Sequence, residues 1–383
     1  MHRRQFIAYG TSGLAGLLMP RAALASSSAT VDLTIQEIMQ EMVDGARVPM
    51  IAFANTSHGP RVPGPVLSVQ EGDVLVVRIR NATATVHAFA VPGAPGSESG
   101  PIPPGQTRTV TFTAPAGGTY VYLDPTDAPL NRLLGLHGAL IVMPRLGRTA
   151  AGRDTPYSLD RLAGSPAVTA ISALFDAFGQ HPRFPGDSWN PQDPHRQVVW
   201  LASCVDPRLN EAAARGTPID PARIEAGLLP RYFTLNGVSG FDSAKSEENV
   251  PKGYIGQPTL LRVLNAGSST HSMHIHGNHV FELSGTGPDG SVTVNANLLE
   301  RDTWMMPPLA RKDVLLPFEQ PQDIPLAAYP PRDEPFPLRY PMHCHCEMSQ
   351  TAGGGSYPQG LVTDWEILGP LRPRQAAALS GGR

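Results

Sequence analysis

Apolar and polar residues alternate in short runs along this chain, as in Val74-Leu-Val-Val-Arg-Ile-Arg80. Side chains on a strand point alternately to opposite faces, so a period of two predicts a half-buried β-strand. Runs of this kind predict strands over residues 66–69, 74–80, 107–112, 119–122 and 138–142, separated by glycine- and proline-rich turns such as residues 92–105. The pattern changes over residues 146–195, where Ala, Leu and Ile within 159–178 suit a short helix and Pro and Asp then dominate, which reads as a linker. Alternation resumes at Gln197-Val-Val-Trp-Leu201 and runs to Trp365-Glu-Ile-Leu368, broken by Ala-rich residues 210–229 that suit a helical excursion. The two β blocks, residues 30–145 and 196–370, close alike, on Gly138-Ala-Leu-Ile-Val142 and Gly360-Leu-Val-Thr363. An all-β chain follows: two β-sandwiches, a helical or loop linker and a tail over 371–383.

Charge narrows the partners. Formal net charge is −3 with 16% charged residues over 383 positions, so no basic surface is available to attract nucleic acid. Residues 1–25 read as an address: Arg3-Arg4-Gln5-Phe6-Ile7 is a twin-arginine pattern, and Ala23-Leu24-Ala25 is a small-residue cleavage site. The apolar stretch between them falls short of the ~20 residues that cross a bilayer, and no later segment reaches that length. A twin-arginine-exported protein, periplasmic or secreted and without a membrane span, is the expectation. The three cysteines, Cys204, Cys344 and Cys346, leave at least one thiol unpaired in an oxidising compartment. Cys204 with Cys346 is the pair to consider for a disulfide, leaving Cys344 for metal.

Two clusters carry the chemistry. In Thr270-His271-Ser-Met-His274-Ile-His276-Gly277, alternation puts His274 and His276 on one strand face, and His271 at the strand entrance pointing elsewhere. In Tyr340-Pro-Met-His343-Cys344-His345, both histidines face one way and the cysteine the other. Two strands offering paired imidazoles to a common side form a metal pocket, and on the opposite side Cys344 can meet His271. Thiolate with imidazole is the donor chemistry of a blue-copper centre. The remaining histidines read blandly: His58, His181 and His195 as loop residues, His279 on the other strand face, His137 as a packed strand-edge residue.

With Glu71-Gly-Asp73, Gly118-Thr-Tyr-Val-Tyr122 and the His-x-x-His-x-His and His-Cys-His motifs, the chain resembles the multicopper oxidases, the laccase-like family of repeated cupredoxin domains, over nearly its whole mature length. The resemblance implies two Greek-key, cupredoxin-like β-sandwiches that bind copper. It implies type 1 ligands at His271 and Cys344, type 2 ligands at His87 and His274, and type 3 ligands at His276, His343 and His345. It also exposes departures. The family's first domain supplies two His-x-His pairs; here these positions read His87-Ala88-Phe89 and Leu123-Asp124-Pro125. The second type 1 histidine is replaced by Ser349 and the axial residue by Gly354. Four-electron reduction of dioxygen uses the full set, so an incomplete copper complement is expected, with one copper between His87 and His274 completed by neighbouring imidazoles or water. The implied function is an atypical multicopper-oxidase-type oxidoreductase taking a small-molecule or metal-ion electron donor and dioxygen. The alternatives are a non-enzymatic exported cupredoxin scaffold and a copper-binding carrier. Two-domain members of the family form trimers with metal sites between subunits, so a homo-oligomer is compatible with the resemblance.

Overall fold

The computed structural model describes residues 27–287, 289–321 and 335–371; the leader expected over 1–25 and all but residue 371 of the expected tail lie outside them. Domain 1 is built from β1 (Ser28–Glu41), β2 (Arg47–Ala54), β3 (Leu67–Gln70), β4 (Val74–Asn81), β5 (Thr107–Thr113), β6 (Gly118–Leu123) and β7 (His137–Met143), with the one-turn helix α1 (Leu130–Leu133) before β7. Its sheets have the orders β2-β1-β4-β5 and β3-β7-β6. Strand β4 shows why the period predicts the element: Leu75, Val77 and Ile79 are buried against Phe112, Tyr120 and Leu140, while Arg78 and Arg80 face outward.

Strands β1 and β2 were not among the predicted ones. β1 buries only Leu33 and Ile35 fully over its length, so its alternation is diluted by threonine, glutamine and glutamate on the other positions. Its place is set by backbone pairing instead, parallel to β4 and antiparallel to β2.

Domain 2 contains β8 (Gln197–Val205), β9 (Tyr232–Leu235), β10 (Lys252–Gly253), β11 (Thr259–Asn265), β12 (His271–Ile275), β13 (Val280–Thr286), β14 (Val292–Arg301), β15 (Thr303–Met306), β16 (Arg311–Leu316), β17 (Leu338–Cys344) and β18 (Val362–Ile367). The sheet orders are β14-β13-β16-β11-β8-β9 and β10-β18-β17-β12-β15. Between them lies a core that includes Trp200, Trp304, Trp365, Met273 and Met342, all buried.

The stretch expected as a linker is packed against the second domain. Helix α2 (Ala167–Ala177) turns Ile171, Leu174 and Phe175, at the i, i+3, i+4 spacing of one helix face, onto Trp189, Phe281, Leu283 and Leu315. The domains also meet directly. Every residue of β6 is buried, because Tyr120 and Tyr122 face their own core while Val121 and Leu123, with Ala139 and Ile141, cover Leu201, Leu264 and Ala266 of domain 2. That two-sided burial erases the polar half of the alternation. At the same junction the buried Asp313 carboxylate accepts from Arg262 Nη1 at 2.8 Å, from Tyr157 Oη at 2.9 Å and from the Thr119 hydroxyl of domain 1.

All three cysteines are free thiols, so the Cys204–Cys346 disulfide considered above does not form: Cys204 is buried beside the Ser268 amide, and Cys346 is exposed beside the Thr270 carbonyl. Among the described residues no helix is long and apolar enough to cross a membrane.

Candidate metal centre

Strand β12 lies between β15 and β17, and its pleat sorts the cluster into two faces. His271, Met273 and Ile275 point into the core, and Ser272, His274 and His276 point out. The register pairs His274 with His343 on β17 and with Thr303 on β15, and pairs Met273 with Cys344. His345, just past β17, donates its amide to Ser272 at 2.7 Å and so stands beside the same outward row. Four imidazoles therefore share one outer patch. Ring centroids of His274 lie 4.6 Å from His276, 5.4 Å from His343 and 4.4 Å from His345. One ligand atom each from His274, His343 and His345 falls within 4.8 Å of the others, and His276 Nε2 comes to 3.1 Å from His343 Nε2.

Neighbours orient the ring that anchors this patch. His274 Nδ1 is 3.0 Å from the Asp302 carbonyl and 2.9 Å from Thr303 Oγ1, two oxygens that hold its proton there and leave Nε2 as the free donor atom. That is the arrangement a metal-binding imidazole uses to fix its tautomer. Burial, and then the neighbouring imidazoles His276 and His345, push the His274 pKa down, against the opposing Asp302 carboxylate 3.8 Å away. Burial also lowers that of His343, again reinforced by His276 and His345. Neutral imidazole is the form that donates a lone pair.

The inner face holds the second arrangement. His271 Nδ1 lies 3.6 Å from Cys344 Sγ, both fully buried, and burial pushes the His271 pKa down to about 4. The sulfur accepts amide protons from Ser272 at 3.3 Å and Cys346 at 3.4 Å, and the nearby Ser349 hydroxyl donates to the Cys346 carbonyl at 2.8 Å. Burial raises the thiol pKa, while these donors favour the thiolate. His271 Nε2 is a buried nitrogen without a hydrogen-bond partner. Imidazole and thiolate on one side, imidazoles on the other, form a donor set that suits copper.

His87 sits elsewhere. It is buried in domain 1 with both ring nitrogens engaged, Nδ1 to Asp124 Oδ2 at 2.8 Å and Nε2 to Thr85 Oγ1 at 3.0 Å. The structure does not join it to His274, whose ring neighbours among the described residues are His276, His343 and His345. The sequence reading also missed Asp302, Thr303 and the contact of Ser349 with Cys344. The first two reach His274 through the pairing of β15 with β12, which no local motif announces.

Two family profiles, both described as multicopper oxidase, match residues 42–147 and 218–362. A copper-containing nitrite reductase of Alcaligenes xylosoxydans xylosoxydans is 27% identical over 70% of this chain and 73% of its own. The solved blue copper oxidase from Nitrosomonas europaea is similar with a TM-score of 0.61 at 20% identity, covering 89% of this chain and 86% of that one. The copper nitrite reductase from Nitrosomonas europaea gives a TM-score of 0.54 at 15% identity over 89% of this chain and 94% of that one. At these identities the two structures speak for a shared two-domain cupredoxin-like fold.

Proposed function

We propose that this chain, which belongs to the multicopper oxidase family, is an atypical copper oxidoreductase whose copper complement is incomplete and lies in domain 2. The observation that carries this reading is the outward triad of His274, His343 and His345, with ligand atoms within 4.8 Å of one another. Copper bound there supplies a one-electron couple and an open coordination position. The chain's own groups prepare for it. Thr303 and the Asp302 carbonyl keep the His274 proton on Nδ1, so that Nε2 faces the patch. His276 and His343 bring two Nε2 atoms to a shared point. The exposed side of His345 leaves the patch open to a small substrate. Inside the sheet, Cys344 and His271 offer a second position, with Ser349 in place of a third imidazole.

Dioxygen is the acceptor that the family suggests, and nitrite joins it because copper-containing nitrite reductases are among the similar proteins. The donor is a small molecule or a metal ion. Export by the twin-arginine leader to the periplasm or beyond belongs to the same reading, and an N-terminus of the mature protein at Met1 in the cytoplasm refutes that part.

The test is copper stoichiometry together with optical and paramagnetic resonance spectra on protein matured with ample copper. Bound copper with consumption of oxygen or nitrite supports the oxidoreductase, and absence of copper sinks it. The substitution of Ser349 for a ligand favours a second reading, a copper carrier, which predicts tight binding without turnover.

A further inference from the structure

The two domains repeat one another down to single hydrogen bonds. Asn81 ends β4 and Asn265 ends β11, and each stands six residues before a histidine, His87 or His271. Each asparagine amide donates to the carbonyl four residues on, Thr85 at 2.7 Å and Ser269 at 2.8 Å. Each donates also to a more distant carbonyl, Ile102 or Met306, at 2.8 Å. Each Oδ1 accepts the amide two residues on, Thr83 or Gly267, at 2.9 Å. Ile102 is the antiparallel bridge partner of His87, as Met306 is of His271. Three residues further, Ala90 pairs with Leu123 where His274 pairs with His343. Gly93 and Gly277 then close the repeat, both with positive φ, 89° and 76°.

This correspondence makes His87 the counterpart of His271 and not of His274. It makes Asp124, one residue past Leu123, the counterpart of Cys344. The atoms agree, since His87 Nδ1 meets Asp124 Oδ2 at 2.8 Å where His271 Nδ1 meets Cys344 Sγ at 3.6 Å. We infer that the pocket around His87 is the domain 1 twin of the His271/Cys344 pocket, and that Asp124, standing where the sulfur stands, closes it to copper.

The closure is physical. Asp124 Oδ2 takes His87 Nδ1 and the Asn131 amide at 3.0 Å, and Oδ1 takes the Thr126 amide at 2.8 Å. Thr85 occupies His87 Nε2. Both side chains of the pair are shut from solvent, at 1% and 0% exposure, so an entering metal has to break these bonds without water to replace them. A carboxylate is also a harder, less copper-selective donor than a thiolate. The counterparts of the outward cluster, Ala90, Pro92, Leu123 and Pro125, carry no ligand atom. Asp124 is thus the residue that confines copper to domain 2, an inference that rests on the copper reading of that domain.

Copper per chain, measured by elemental analysis after loosely held metal is removed, tests this in the full-length mature protein and in His87→Gln, Cys344→Ser and Cys344→Ser/Asp124→Cys. His87→Gln binds as much copper as the parent. The double variant gains one copper per chain over Cys344→Ser, with a thiolate-to-copper band in the visible that Cys344→Ser lacks. Loss of a copper in His87→Gln overturns the inference. So does a double variant that is folded by circular dichroism and shows neither extra copper nor the band. A double variant that fails to fold leaves His87→Gln to decide. A parent protein that takes up no copper refutes the copper reading of domain 2 instead, and the band in the double variant then still decides the pocket in domain 1.

Discussion

Replacing Asp313 with alanine is expected to loosen the junction between the domains more than any other single carboxylate change there. Its carboxylate and the Arg262 side chain both have 0% exposure, and the two lie 2.8 Å apart. Breaking such a buried pair strands a charge and costs about 3–5 kcal/mol. Two effects act on that range in opposite directions. Gln197 Oε1 still accepts from Arg262 Nε at 3.2 Å and Nη2 at 3.0 Å, which retains part of the guanidinium's solvation. Against that, the Tyr157 and Thr119 hydroxyls lose their acceptor, at about 1 kcal/mol each. The net expectation is about 4 kcal/mol, a large share of the ~5–15 kcal/mol that holds a folded protein together. At about 1–2 °C per kcal/mol for a chain of this size this lowers Tm by roughly 6 °C, read by circular dichroism. Thr119→Val removes one donor and costs about 1 kcal/mol. The double variant Arg262→Met/Asp313→Leu, which removes both charges, recovers most of the loss. A Tm drop of less than about 3 °C for Asp313→Ala, or a double variant as unstable as the single one, refutes the argument that the cost comes from an uncompensated buried guanidinium.

Three further outcomes follow from the site. Thr303→Val removes one of the two oxygens that hold the His274 proton, and copper affinity at the outward cluster should fall about 10–100-fold in a competition titration; an unchanged affinity excludes that orienting role. Ser349→His supplies the third donor that the resemblance assigns to this position, and the visible thiolate band of the copper-loaded protein should be several-fold more intense than in the parent or in Ser349→Ala. Burial pushes the pKa of His137 down to about 4 from its ordinary 6.5, so the unfolded chain binds the proton more tightly. Its contribution to stability is complete above pH ~6.5 and is lost as pH falls toward ~4, in a His137→Phe-sensitive part of the denaturation profile measured over that window.

The outward and inward histidines were legible because the chemistry there is local. A strand of period two sorts His271 from His274 and His276, and Cys344 from His343 and His345, before any partner strand is known. Fold class was legible for the same reason in β4, where one face is buried and the other is wet. Asp313 was not. In Arg311-Lys-Asp313-Val it reads as a solvated position, and only the arrival of Thr119 from domain 1 and Tyr157 from the linker buries it. The same non-locality hid the role of His87. Its partner Asp124 lies 37 residues away, in Leu123-Asp124-Pro125, a triplet that carries no metal signature of its own. Yet the signal existed. Asn81 and Asn265 precede their histidines by the same six residues, and Ile102-Pro-Pro and Met306-Pro-Pro follow in kind. Aligning the chain with itself about those asparagines, and not about the histidine spacing alone, places His87 opposite His271 and turns an apparent surviving ligand of the cluster into one half of a buried hydrogen-bonded pair.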